Sequence, residues 1–268
     1  MIAPSLLDQV GIQNWPAFVL VSARVAGLFM VEPLWAITAV PRTVRGAMAV
    51  VFSVALLPTL TAAPRLPDDM IAMSLLLGGE TLLGMAMGML GALVLQGVVI
   101  AGDVASLQMG LSLGQALGSL PEGTTVGVGQ LQGYFALSIY LMLGGHLTLY
   151  QGLATSFATI PPGHALLGLG GSRAVVDLAE TIFQGGIQAA APVLIALLLA
   201  HVALAILGKA VPQLNVMMVS FPVTIAIGLV ALGTSLPFLG AYLSGTVAAL
   251  PDQAANLIAA FGAAAAVR

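Results

Sequence analysis

Residues 70–101 read MIAMSLLLGGETLLGMAMGMLGALVLQGVVIA, interrupted by only two strongly polar side chains, Glu80 and Gln96. About 20 apolar residues are enough for a helix to cross the hydrocarbon core of a bilayer. This run is longer than one perpendicular crossing needs, so it predicts a helix that tilts, kinks or extends beyond the hydrocarbon. The composition around it agrees. Only 7 Lys plus Arg and 10 Asp plus Glu occur in 268 residues, and the charged fraction is 6 %, where a soluble domain carries about 25 %. The hydrophobic fraction is 59 % and the mean hydropathy is +1.08. So few charges cannot cover the surface of a water-soluble globule, which argues against a soluble enzyme. Disorder is excluded by the apolar content. A nucleic-acid binder is excluded by a net charge of −3, which offers phosphates no basic face.

Five further apolar stretches accompany the first, over about 15–40, 46–63, 128–160, 175–207 and 210–236, followed by an Ala-rich tail at 241–268 that reads as one more helix. Alternating ten-residue strands are not seen, so the expected class is all-α, a multi-pass helical membrane protein and not a barrel. Pro161–Pro162–Gly163 predicts a helix stop. Pro192, Pro212 and Pro222 fall in or beside apolar helices, where each removes a backbone hydrogen bond, and predict broken or kinked segments. Residues 102–127 differ from the rest. They hold Asp103, Gln108, Gln115 and Glu122 among glycines at 102, 110, 114, 118, 123 and 127. Part of this stretch reads as non-helical backbone, which at membrane depth survives only where protein or water satisfies it. Arg42, Arg45 and Lys209 fall on one set of loops and Arg65 and Arg173 on the other, so the basic residues leave the orientation open. The first basic residue is Arg24, and the N-terminus reads without a signal peptide.

Ionisable groups inside apolar segments call for partners or a function. Arg24 and Glu32 stand two helical turns apart, which points to partners on another helix for each and to structural charges in preference to a proton relay. Glu80 shares a face with Gly84, Gly88 and Gly91, a small-residue seam that lets a second helix approach, with the carboxylate as a hydrogen-bonding point. No second acid, metal site or nucleophile accompanies it at a recognisable spacing. His146, His164 and His201 are scattered, no HExxH or GxSxG occurs, and Cys is absent. The expectation is therefore a protein that is not an enzyme and carries no metal or cofactor. Met85, Met87 and Met89 read as ordinary apolar filling that could also form a deformable seal.

The stretch 208–222, GKAVPQLNVMMVSFP, carries a more specific signal. Its Lys209, its core Pro212–Gln213–Leu214–Asn215–Val216 and its Phe221–Pro222 step resemble the most distinctive segment of the FliR family of flagellar export proteins and their injectisome counterparts, the SctT family. The likeness extends along nearly the whole chain. Arg24, Pro33, Pro41, Arg42 and Arg45 are similar to the family's amino-terminal Arg/Pro pattern. Glu80, Gly84 and Gly88 resemble its Glu-x-x-x-Gly-x-x-x-Gly helix. Gly102, Gln108, Met109 and Gly110, then Gly145–His146–Leu147, Ser156, Pro161 and Pro192, resemble later family positions. Many relatives have an Asp-Pro pair where this chain has Leu120–Pro121–Glu122.

The resemblance implies a subunit of the flagellar type III export gate in the bacterial inner membrane, within the basal body. FliP-like, FliQ-like and FlhB-like proteins would be its partners, and unfolded export substrates and membrane lipid would also contact it. It implies a single integral-membrane domain over 1–268, with a FliP-like part over about 1–207 and a FliQ-like part over about 208–268. It further implies that residues 110–124, with Gly110, Leu111, Gly114, Gly118 and Pro121, plug the pore. Much of such a gate stands above the membrane plane, so apolar segments need not be simple spans. The alternatives are an injectisome export subunit and a stand-alone small-molecule or ion transporter. A transporter would need an internal repeat, and none is evident in the sequence.

Overall fold

The computed structural model describes residues 15–36, 40–60, 67, 69–111, 127–165, 169–211, 213 and 216–266. Among the described residues the chain is helical and contains no strand. In chain order the helices are α1 (Trp15–Val31), α2 (Pro33–Ala36), α3 (Arg42–Leu56), α4 (Met70–Gln108), α5 (Val128–Met142), α6 (Gly145–Thr159), α7 (Leu169–Ala210) and α8 (Val216–Ala266). Three segments are long and apolar enough to cross a membrane: Met70–Gln108, Ala190–Ala210 and Met218–Gly262. The 17-residue α1 is a shorter apolar helix. The multi-pass helical class read from composition therefore stands.

Local chemistry sets the helix ends, and several differ from the sequence reading. The apolar stretch at 15–40 is not one helix, because Pro33 has no N–H to donate and disfavours the helical conformation of Glu32 before it. At 70 the start is capped: the Asp69 carboxylate accepts from the backbone N–H groups of Ile71 (3.3 Å) and Ala72 (3.4 Å). The 39 residues of α4 have a contour of about 58 Å at 1.5 Å per residue, well beyond a hydrocarbon core of about 30 Å. The stretch at 128–160 is two 15-residue helices, separated at Leu143–Gly144, where Gly144 takes φ +72°. That left-handed conformation is one an L side chain adopts only at a cost.

Downstream, α7 runs through Gly208 and Lys209 to Ala210, and α8 continues through Pro222 to Ala266, so the tail is part of it as far as Ala266. The expected break at Pro222 is absent, and Pro212 lies outside the described residues. Hydroxyl side chains bond the carbonyls around the α8 prolines: Thr224 Oγ1 donates to Ser220 O (2.9 Å), and Ser235 Oγ donates to Leu232 O (2.9 Å) in the turn before Pro237.

The chain divides into two compact units that interleave along the sequence. The first comprises Met1–Leu93, Gly144–Glu180 and Ala248–Arg268, and its buried core includes Leu20, Leu28, Leu83, Met87, Leu149 and Leu153. The second comprises Val94–Leu143 and Thr181–Val247 and centres on Ala105, Met109, Val128, Val193, Leu197 and Leu232.

Candidate functional site

In the first unit the polar residues of three helices converge on one point. Arg24 of α1 and Glu80 of α4 are both fully buried, with Arg24 Nε 2.6 Å from Glu80 Oε2. The remaining guanidinium nitrogens donate to Ser156 Oγ (2.9 Å) and to the Ile160 carbonyl (3.1 Å). The cation also lies 4.2 Å from the Phe157 ring centroid. Glu80 Oε1 accepts from the Gly163 N–H at 2.7 Å. Gly163 takes φ +89°, the glycine conformation that turns the chain after Pro161–Pro162.

Close approach makes this convergence possible. A Cβ at Gly84 would collide with the Arg24 carbonyl, and one at Gly27 with the Thr81 carbonyl. At Gly88 a Cβ would stand 2.7 Å from the Leu28 carbonyl oxygen. Side chains at these glycines would force α1 and α4 apart and lift Arg24 off Glu80. A charge pair with both carboxylate oxygens and three guanidinium nitrogens engaged, and with no exposure, is built to hold helices. It is not placed to meet a reacting group, as a general acid or base must be. Arg24 thus pairs with Glu80 of another helix and not with Glu32. Beside this point Trp35 Nε1 donates to Tyr150 Oη (2.8 Å), within a cluster of Phe29, Trp35, Phe52 and Tyr150 rings.

The second unit holds the ends of the glycine-rich stretch. The Leu111 N–H donates to the Ser106 carbonyl (3.1 Å), the Gly110 N–H donates to Leu107 (3.1 Å), and Gly110 takes φ +79°. These two bonds form the Schellman cap that closes α4, with Gly110 as its left-handed glycine. The hydroxyl of the same Ser106 accepts the Val128 N–H at 3.1 Å, at the start of α5. Leu111 and Val128, on either side of residues 112–126, thus both bond Ser106. On the outgoing side Thr224 Oγ1 lies 3.3 Å from the Met109 carbonyl oxygen, sharing its one proton with the nearer Ser220 carbonyl, and the Met109 side chain fills the space where a Cβ on Gly228 would stand. On the returning side Gly129 faces the Asp103 carboxylate so closely that a Cβ would collide with it.

The other sequence-predicted residues are not gathered at either place. Arg42 is exposed and Arg45 half-buried in the first turn of α3. Lys209 is exposed in the last turn of α7, where a cation suits the helix C-terminus. Gln213 and Pro222 are exposed and Phe221 is half-buried. Pro212, Asn215, Gly114, Gly118 and Pro121 lie outside the described residues. Among the described residues no three of His, Asp and Glu converge as a metal site. Sequence reasoning assigned no role to Ser106, Thr224 or Gly228. Ser156 stood out only as a family position and Pro161 as that and as part of a helix stop, with nothing in their spacing to link them to Arg24.

These features define a class: an all-helical membrane protein whose buried charges clamp helices together. The chain belongs to the family described as bacterial export proteins, family 1, whose pattern matches residues 15–250. It is similar to the flagellar biosynthetic protein FliR of Bacillus subtilis (strain 168), 29 % identical over 254 residues, covering 94 % of this chain and 98 % of that one. It is also similar to the FliR of Escherichia coli (strain K12), 25 % identical over 252 residues and 94 % of each chain. The FliR of Aquifex aeolicus (strain VF5) is 27 % identical over 219 residues, covering 81 % of this chain and 83 % of that one.

Proposed function

We propose that this protein is a non-enzymatic subunit of the flagellar type III export gate in the bacterial inner membrane. It assembles there with FliP-like, FliQ-like and FlhB-like proteins, and unfolded flagellar proteins pass through the pore they form. The observation that carries this reading is the near-complete, end-to-end likeness to flagellar FliR proteins. The flagellar character of those relatives favours the flagellar over the injectisome system. The residues over 1–207 and 208–268 correspond in this reading to a FliP-like and a FliQ-like part.

Within this reading residues 110–124 form the closure of the pore, and Ser106 sets where it sits. Two features support that role: both ends of the stretch are tied to one residue, and its outgoing end is fastened to α8 through Thr224 and Gly228. Because Leu111 and Val128 both bond Ser106, a short Gly-Ser link replacing residues 112–126 can join the flanking segments without displacing α4 or α5. Cells carrying that replacement should show raised ion leakage through the assembled gate. Ser106→Ala, which removes the acceptor of the buried Val128 N–H at a cost of about 1–3 kcal/mol, should leak to a smaller extent. Leakage at the wild-type level in both variants, with the chain present in the membrane, would contradict the closure role.

A further inference from the structure

Four helices of the second unit meet around a small internal gap. Ala101 of α4, Gln132 of α5, Val193 of α7, and Leu232, Ser235 and Leu239 of α8 line it. The space open to the centre of a water molecule is about 10 Å3, room for one such molecule and for nothing larger. No charged side chain lines the gap, so an ion would meet no counter-charge there.

The two polar side chains at the gap both lack a donor. Gln132 Oε1 is buried and has no hydrogen-bond partner. It is held against α4, where the two helices touch at glycines: a Cβ at Gly102 would collide with Oε1 and stand 2.5 Å from the Gly129 Cα. Ser235 is buried and gives its one hydroxyl proton to the Leu232 carbonyl at 2.9 Å, so toward the gap it only accepts. Two acceptors cannot bond each other. A molecule with two donor hydrogens satisfies both, and water is the smallest one. Buried waters occur at such places, where otherwise unsatisfied polar groups face a space of this size.

We propose that one water molecule is bound here and joins α5 to α8, donating one hydrogen to Gln132 Oε1 and the other to Ser235 Oγ. The rest of this core is apolar, with Met109, Leu197 and Leu232 among its side chains. Apolar contacts are non-directional, so the water supplies a directional link that fixes α5 against α8. The inference concerns the packing of the second unit and stands apart from the export role.

The test is pulsed X-ray radiolysis of the full chain, extracted in mild detergent with whatever it binds, and read by mass spectrometry. Hydroxyl radicals form from bound water as from bulk water and oxidise the side chains beside it. Val193 and Leu239 are 3 % and 4 % exposed, whereas Leu204, which does not line the gap, is 8 % exposed. Val193 and Leu239 should nevertheless be oxidised about fivefold faster than Leu204, or more. Gln132→Met replaces the acceptor by an apolar side chain of similar length, and should bring Leu239 down to the Leu204 rate with the chain still present in the membrane. Val193→Ile, which fills the gap and leaves both polar groups in place, should lower the Leu239 rate in the same way. Two results would overturn the proposal: Val193 and Leu239 oxidised no faster than Leu204 in the wild type, or a Leu239 rate unchanged in Gln132→Met. Should that variant fail to reach the membrane, an unchanged Leu239 rate in Val193→Ile overturns it equally.

Discussion

Arg24 and Glu80 show how much a single buried charge depends on its surroundings. Neither side chain has any exposure, so each is stable only because the other is there, with Ser156, the Ile160 carbonyl and the Gly163 N–H around them. Removing one member leaves the other charged and unanswered, a loss of about 3–5 kcal/mol. Removing both in favour of apolar side chains of similar size costs far less. Arg24→Met and Glu80→Leu should therefore each sharply lower the amount of folded chain in the membrane, and the double variant should recover much of it. Protease resistance of the detergent-extracted protein measures this directly. A double variant as unstable as the sum of the singles would mean that the pair is not the coupled unit described here.

At the scale of elements, the glycines of α4 divide by what faces them. Gly84 lies against the Arg24 carbonyl with no space for a methyl group, whereas nothing lies within 4 Å of a Cβ at Gly78, six residues earlier on the same helix. Gly78→Ala should be neutral or stabilise by up to about 1 kcal/mol through helix propensity. Gly84→Ala should destabilise despite the same gain, because α1 must move away. A thermal-shift measurement on the two variants checks the contrast, and equal effects would contradict the seam. The small-residue pattern around Glu80 was legible in the sequence because close helix contacts select it. The ends of the helices were less legible. Leu143–Gly144 reads as part of a continuous apolar run, and only the left-handed φ of Gly144 separates α5 from α6. Pro222 reads as a break yet sits inside α8, which runs from Val216 to Ala266. Ser106 carried no local signal at all, since its role comes from the tertiary meeting of two chain segments 22 residues apart.

Over the whole molecule, what the charge count announces is borne out by where the apolar surface lies. The apolar segment of α4 is mostly buried within the chain, while those of α7 and α8 are mostly exposed. Leu198, Leu199 and Ile206 on α7, and Met218, Val230 and Phe238 on α8, are among the exposed side chains. A surface of this kind is stable only against lipid or other proteins. The class was thus plain from composition, and the family from Lys209 to Pro222 together with the spaced Arg, Glu and Gly positions. How the buried charges are paired could be learned only from the fold. The most direct test of the export-gate reading is the intact mass of the complex that tagged protein, expressed from its own operon, forms in mild detergent. A large assembly containing FliP-like and FliQ-like proteins, with this chain as a minor component, is the predicted result. A homogeneous monomer or homodimer without those proteins would contradict the account.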